Sequence, residues 1–352
     1  MRLLIRTMVA LLATIGLLTA CSASDRSAGT STNPTTESSL RDLHGRVVVL
    51  TTGGTIASTA DSSGALVPTL TGEQLLDTVR DRFGPNLDLQ VRQVAQLDSS
   101  AMTFRDTDTI LSAIREAMGD PEITGVVVTH GTDSMEETAV AADTFRPDSR
   151  PIVLTGAMKP ADDPHPDGPD NLAQAIAMAA DTNTPEGAFI AFGGSTFPAR
   201  GTYKAHTTEV DGFANNAPEE SPHPAPLRLS PLESTSVEII TAYPGAPRAL
   251  IDAALARNAR GLVIEGMGAG NVGGEMATAI EKALDQGVPV VMSTRVPTGS
   301  VEAAYGGAGG GATLRERGVI SSGYFRAAQA RVLLAAALAT GTDPAALFAP
   351  RA

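Results

Sequence analysis

A two-domain α/β fold is predicted, with a larger N-terminal domain whose mainly parallel sheet is covered by helices and a smaller C-terminal α/β domain. Three observations predict it. Short β-branched runs alternate with helix-period segments along most of the chain. One stretch, 214–234, interrupts that rhythm with proline, glutamate, serine and asparagine, and reads as an interdomain linker. The length of 352 residues suits about two domains at roughly 150 residues each, each able to bury its own core.

The first twenty residues stand apart from the fold. A basic start, Met-Arg-Leu-Leu-Ile-Arg, leads into an apolar run over 8–18 and then small residues, the pattern of an export signal peptide. The run is too short for a comfortable membrane span. Leu18-Thr19-Ala20-Cys21 resembles a bacterial lipobox, which implies lipidation of Cys21 and anchoring to the outer face of the cytoplasmic membrane or in the periplasm. Cys21 is the sole cysteine, so neither an intrachain disulfide nor a cysteine-rich metal site is available. Residues 21–45, largely small and polar, read as a flexible tether.

The N-terminal domain is expected over 46–213. It opens with a buried strand at 46–51, where three valines follow one another. A helix over 72–83 begins at a Thr71/Gln74 capping box, and a second covers 103–118. A strand at 126–129 feeds a helix over 135–145, for which Ser134 and Glu137 offer another capping box. A strand at 152–154, a helix over 172–180 and a strand at 188–192 complete the set. After the linker, 235–352 resumes the alternation: strand 237–241, helix 249–258, strand 262–264, helix 275–285, strand 290–292 and helix 325–339. Pro289 enters the last of those strands, a position proline tolerates.

Composition excludes some partners. With 26 basic against 39 acidic residues the formal charge is −13, so nucleic acid and anionic membrane surfaces would be repelled. The membrane is approached through the lipid alone. Two loops of similar make-up follow predicted strands: Thr51-Thr52-Gly53-Gly54-Thr55-Ile56-Ala57-Ser58 and Thr129-His130-Gly131-Thr132-Asp133-Ser134-Met135-Glu136-Glu137. Ligands of parallel sheets bind beyond the carboxyl ends of strands, so both loops can face one cleft. Glycine lets backbone approach a ligand closely, and a helix start favours negative charge. The first loop is neither a dinucleotide fingerprint nor a P-loop. His130 has no ligand partner near it in sequence, and reads as a structural histidine rather than a metal ligand.

Thr-Gly-Gly-Thr-Ile-Ala at 52–57 and Thr-His-Gly-Thr-Asp-Ser-Met-Glu-Glu-Thr at 129–138 resemble the two signature motifs of bacterial-type L-asparaginases. The segment Thr155-Gly156-Ala157-Met158-Lys159-Pro160, with Asp167-Gly168-Pro169 and Asn171, is similar to that family's central loop. Arg200-Gly201-Thr202-Tyr203-Lys204 resembles its lysine segment, and Arg295-Val296-Pro297-Thr298-Gly299 and Ala330-Arg331-Val332-Leu333-Leu334 its second-domain landmarks. The match runs from about Arg46 to the C-terminus. The resemblance implies an amidohydrolase, without cofactor or metal, that converts asparagine to aspartate and ammonia through an acyl intermediate on Thr55. It implies catalytic roles for Thr132, Asp133 and Lys204. It further implies substrate contacts from Thr132, Asp133, Ser99 and Ser100, and a homotetramer. The chemistry is coherent, because a threonine hydroxyl needs a base within hydrogen-bond reach and a lysine held by a carboxylate can relay the proton. Backbone amides of the Gly53-Gly54 turn, or the helix start after Asp133, are candidates for oxyanion stabilisation.

Two features depart from the family pattern. The loop 61–68 after the first motif carries Ala65 and Leu66 where many members have a tyrosine, and no tyrosine lies between Thr55 and Thr132. Thr132 and Lys204 are then the candidates for the base. The glutamate that a neighbouring subunit supplies in the family has no single counterpart; Glu302 and Tyr305 both lie near the place. Two other readings compete. One is an amino-acid-binding lipoprotein that serves a transporter, which would need no nucleophile. The other is the same enzyme class with a preference for glutamine.

Overall fold

The computed structural model describes residues 37–219 and 224–348. The expected signal peptide, Cys21 and the tether up to residue 36 lie outside them. Within the remainder of the expected tether, Glu37–Arg41 forms a short helix, α1, because Leu40 joins a buried apolar cluster with Val79 and Phe83. Among the described residues no helix is long and apolar enough to cross a membrane.

The first domain is built from β1 (Gly45–Gly53), β2 (Ser58–Ala60), β3 (Leu66–Pro68), α2 (Gly72–Asp77), β4 (Leu87–Leu97), α3 (Phe104–Ala117), β5 (Ile123–Thr129), α4 (Met135–Thr144), β6 (Ile152–Thr155), α5 (Gly168–Ala180), β7 (Ala188–Phe192), β8 (Ser195–Pro198), β9 (Thr202–Lys204) and β10 (Phe213–Asn215). Six strands form one sheet in the order β4-β1-β5-β6-β7-β8, parallel except for β8 against β7. Alternate side chains divide between its faces. Val48, Leu50, Val126, Val128, Ile152 and Leu154 pack on the α3/α4 side, whereas Val47, Val49, Val127 and Val153 pack on the α2/α5 side. That two-residue period, with both faces covered, produces the near-continuous apolar runs of β1, β5 and β6.

Several elements differ from expectation. The helix expected over 72–83 ends at Asp77, followed by a separate 3-10 turn at Arg80–Arg82; its Thr71/Gln74 capping box is formed. The helix expected from residue 172 starts at Gly168, with a proline in its first turn, where the missing N–H has no intrahelical partner to lose. The capping box expected at Ser134/Glu137 does not form. The Ser134 hydroxyl donates to the Ser99 carbonyl at 2.8 Å, and the Glu137 carboxylate pairs with Arg331 at 3.3 Å. The sheet edge β4 has no counterpart among the expected strands. Its polar residues alternate with Leu87, Leu89 and Val91 on a strand open to solvent, so it lacks an unbroken apolar run.

The second domain follows a 3-10 turn at Leu232–Ser234 and contains β11 (Val237–Thr241), α6 (Ala249–Ala256), β12 (Gly261–Gly266), α7 (Gly274–Asp285), β13 (Val290–Thr294), α8 (Gly311–Glu316), β14 (Ile320–Ser321), α9 (Ala327–Thr340) and α10 (Ala345–Phe348). Its four strands are parallel and lie in sequence order. Leu262, Ile264 and Val290 face α6 and α7, while Val263 and Val291 face α9. The apolar helix α9 also packs on α4, so its buried leucines and alanines join the first domain's core.

Candidate active site

The strand order dictates where a ligand can sit. From β1 the chain crosses to β4 on one side and then returns to β5 on the other, so the order in which strands are added reverses between the parallel β1 and β5. Crevices beyond the carboxyl ends of strands at such a reversal are the sites that parallel sheets offer. The two glycine-containing motifs leave from those two strands, which are in register from Thr51 and Thr129.

The turns touch through glycine. Gly54 has φ +80°, and a Cβ there would lie 2.5 Å from the Gly131 Cα and N. A Cβ on Gly131 would lie 2.4 Å from the Ser99 hydroxyl. No larger residue fits either place, and the contact sets Thr55 and Thr132 each one residue beyond it. Thr55, half-buried, opens a single 3-10 turn ending at Ala57. The turn is fixed by Ser58 Oγ donating to the Gly54 carbonyl at 2.8 Å and by Thr52 Oγ1 donating to the Thr129 carbonyl at 2.9 Å. The Gly54 amide donates to the Leu97 carbonyl at 3.1 Å, so this N–H is not free for a developing oxyanion.

Lys204 reaches this point from β9. Its Nζ donates to Thr132 Oγ1 at 2.8 Å and to Asp133 Oδ1 at 2.5 Å. Its own side chain is 19% exposed against 56% for Asp133, so one end of the pair is sheltered and the other faces solvent. Ser99 is buried, and its hydroxyl accepts from the Asp133 amide at 3.2 Å, keeping its proton for another acceptor. Ser100 is exposed, with its amide donating to Asp98 at 3.0 Å. Thr132, Asp133, Lys204 and Ser99 therefore form one bonded cluster beside the Thr55 turn, with Ser100 at its rim.

The surroundings are buried and polar. His130 is fully buried, with Nδ1 2.7 Å from the Gly131 carbonyl and Nε2 2.9 Å from the Thr138 hydroxyl. Burial holds its imidazole down at about 4, so it is neutral and structural. Burial pushes the Glu136 carboxyl up to about 7 and raises Glu137 as well, against the pull of Arg331. The central loop is tied by Asp167, which accepts from the Met158 and Lys159 amides at 3.0 and 2.9 Å. Asn171 joins it, donating to the Gly156 carbonyl. Beside Thr55, β2 and β3 form a hairpin whose turn is closed by Asp61 accepting from Ser63 and Ala65. Leu66 is exposed on that hairpin, and Glu302 and Tyr305 are exposed on the second domain. Among the described residues no three His, Cys, Asp or Glu side chains are grouped to hold a metal ion. Two polar residues at the border, Glu136 and Gln329, have no role in the sequence reading; a lone glutamine within the Ala/Leu-rich α9 was the available signal.

Comparison with known proteins agrees with this arrangement. Residues 46–222 match the family described as "Asparaginase, N-terminal" and residues 236–348 the "Glutaminase/Asparaginase C-terminal domain". A probable L-asparaginase of Deinococcus radiodurans is 35% identical over 318 residues, covering 85% of this chain and 94% of that protein. A probable periplasmic L-asparaginase of Haemophilus influenzae is 33% identical over 322 residues, covering 85% and 90%. The crystal structure of a probable cytoplasmic L-asparaginase from Campylobacter jejuni superposes with a TM-score of 0.78 at 29% identity, covering 87% of this chain and all of that one. Two turns locked glycine to glycine at the sheet reversal, with a lysine bridging a threonine and an aspartate, thus sit in a chain that belongs to the asparaginase/glutaminase family of amidohydrolases.

Proposed function

We propose that this amidohydrolase converts L-asparagine to L-aspartate and ammonia through a threonine-bound acyl intermediate. The observation that carries the reading is the pair of contacts from the Lys204 amine to Thr132 and Asp133, beside the turn that presents Thr55. An amino-acid carrier has no need of a lysine held against a hydroxyl.

In the first step the Thr55 oxygen bonds to the side-chain amide carbon, and its proton passes into the relay formed by the Thr132 hydroxyl and the Lys204 amine. The proton then goes to the amide nitrogen as the C–N bond breaks, and ammonia leaves an aspartyl ester on Thr55. Water adds to that ester, gives its proton along the same route, and releases aspartate and the free hydroxyl. Asp133 holds the lysine in line and, being half-exposed, offers its other oxygen to the substrate ammonium. Ser99, with Ser100 at the rim, receives the substrate carboxylate. The amide differs from that of glutamine by one methylene, worth about 1–3 kcal/mol in a pocket.

Purified protein should release ammonia from asparagine with a higher kcat/KM than from glutamine. Stoichiometric binding without ammonia would establish the carrier instead, and a higher glutamine rate would reassign the substrate. Export and lipid on Cys21, supported by the basic, apolar and small-residue order of 1–20, belong to the same reading. Mass spectrometry of the membrane fraction should find the mature chain starting at acylated Cys21. A homotetramer is proposed on the family resemblance, and light scattering measures it.

A further inference from the structure

Lys204 does its work from a weak platform. β9 is three residues long and pairs only with the three residues of β10, outside the main sheet. Two-stranded ribbons are marginal by themselves, and a lysine side chain has about 2 kcal/mol of rotamer entropy to lose. Something else must hold the backbone from which the amine reaches Thr132.

Two side chains do so from opposite elements. The Glu136 carboxylate, in the first turn of α4, accepts from the Lys204 amide at 2.5 Å. The buried Gln329 carboxamide, on α9, accepts from the Gly201 amide at 2.8 Å. Its nitrogen lies 2.9 Å from the Thr202 carbonyl, 2.7 Å from that of Ala199 and 3.1 Å from that of Glu136 itself. The two therefore meet: Gln329 grips the turn before β9 and the backbone of the residue whose side chain grips Lys204. α4 also begins just after Thr132 and Asp133, so one helix start presents the lysine's partners and anchors the lysine's main chain. We propose that Glu136 and Gln329 are positioning residues, a clamp on the backbone of 199–204 that keeps the Lys204 amine within reach of Thr132. The proposal rests on the amidase reading for its kinetic consequence, while its structural content concerns Lys204 alone.

The chain has three lysines, Lys159, Lys204 and Lys282, so the test can follow each one. Acylation of the full-length protein with an amine-directed reagent, mapped by mass spectrometry, reads how well Lys204 is held. Glu136→Ala and Gln329→Met should each speed labelling of Lys204 by roughly threefold or more, with Lys159 and Lys282 unchanged. Glu136→Gln, which keeps an acceptor oxygen, should label as the wild type does. In turnover of asparagine, Glu136→Ala should lower kcat by about 10- to 100-fold with KM nearly constant, the mark of a misplaced group rather than lost binding, and Glu136→Gln should restore most of it. If the Ala variant does not fold, Glu136→Asp withdraws the acceptor by one methylene and should show the same changes in smaller measure. Lys204 labelling at the wild-type rate in the Ala, Asp and Met variants, or unaltered kcat in an active enzyme, would overturn the clamp. Should the wild type release no ammonia from either amide, the amidase reading fails and the labelling rates alone decide the clamp.

Discussion

Thr55 is held by what surrounds its backbone more than by bonds to its own side chain. Gly54 before it adopts φ +80° and lies against Gly131, and Ser58 after it ties the turn back to the Gly54 carbonyl. The proposed nucleophile thus has a hydroxyl on a rigid turn, and replacing Thr55 with Ala should remove the attacking oxygen while leaving that turn intact. Turnover is expected to fall by roughly 10³-fold or more, with the unfolding midpoint close to wild type. Near-normal ammonia release from that variant would sink the assignment. Gly54→Ala makes the opposite kind of change, adding an atom where the Gly131 backbone already sits. The left-handed backbone there costs about 1–3 kcal/mol with any side chain, and the two turns must part to admit it. A loss of about 10²-fold in kcat is expected from that parting, since displacement of about 1 Å at a reacting group has that scale. Full activity in Gly54→Ala would show that the glycine contact does not set the geometry.

The helix α4 and the loop before it gather the buried ionisable groups, and their titrations oppose each other. His130 is held at about 4 by burial, whereas a free imidazole titrates near 6.5, so the unfolded chain takes up the proton first. Its contribution is intact above pH 6.5 and is lost as pH falls towards 4, by at most about 3 kcal/mol. Glu136 runs the other way: raised from 4.5 to about 7, it holds its proton longer in the folded state, so stability is present below 4.5 and lost as pH rises to 7. Glu137, raised for the same reason, leans with Glu136. Between pH 4.5 and 6.5 the two signs offset. Glu136→Gln should remove one of them, so that stability from urea unfolding climbs more steeply from pH 4.5 to 6.5 than in the wild type. Parallel pH curves for the two proteins would contradict this. The same region shows what a sequence can disclose about a site. Thr55, Thr132, Asp133 and Lys204 fall within short motifs, where neighbours in sequence are neighbours in space. Glu136 and Gln329 bond to backbone atoms 68 and 127 residues away, so no local pattern announces them. Ser134 and Glu137 had the spacing of a capping box, yet Ser99 and Arg331 offered better partners from other elements.

Across the molecule, the strand and helix alternation was legible because buried parallel strands are runs of valine, isoleucine and leucine. The strands that escaped, β4 and the short β2, β3, β8, β9, β10 and β14, lie at edges or outside the main sheets, where half-exposed backbone asks less of composition. The packing between the domains was equally silent in sequence, although the linker was not, and it is here that the two parts share one buried cluster. Arg200, 9% exposed at the turn before β9, lies 3.9 Å from the buried Asp143 carboxylate of α4. It donates to the Leu347 carbonyl of α10 at 3.1 Å and stacks 4.9 Å above the Phe325 ring. One guanidinium therefore touches the first domain's helix and the second domain's C-terminal elements, beside the apolar cluster that both domains share. Removing one partner of a buried pair strands the other charge, at about 3–5 kcal/mol. Arg200→Met should consequently lower stability by that amount and Asp143→Asn by less, because the amide keeps an oxygen for the Ala188 N–H that Asp143 now receives. The shared core predicts that both sheets lose hydrogen-exchange protection in a single transition, in the wild type and in Arg200→Met alike. If the second sheet of Arg200→Met opened at lower denaturant while the first stayed closed, the cluster would not be acting as a common core, and Arg200 would be a latch between separable domains.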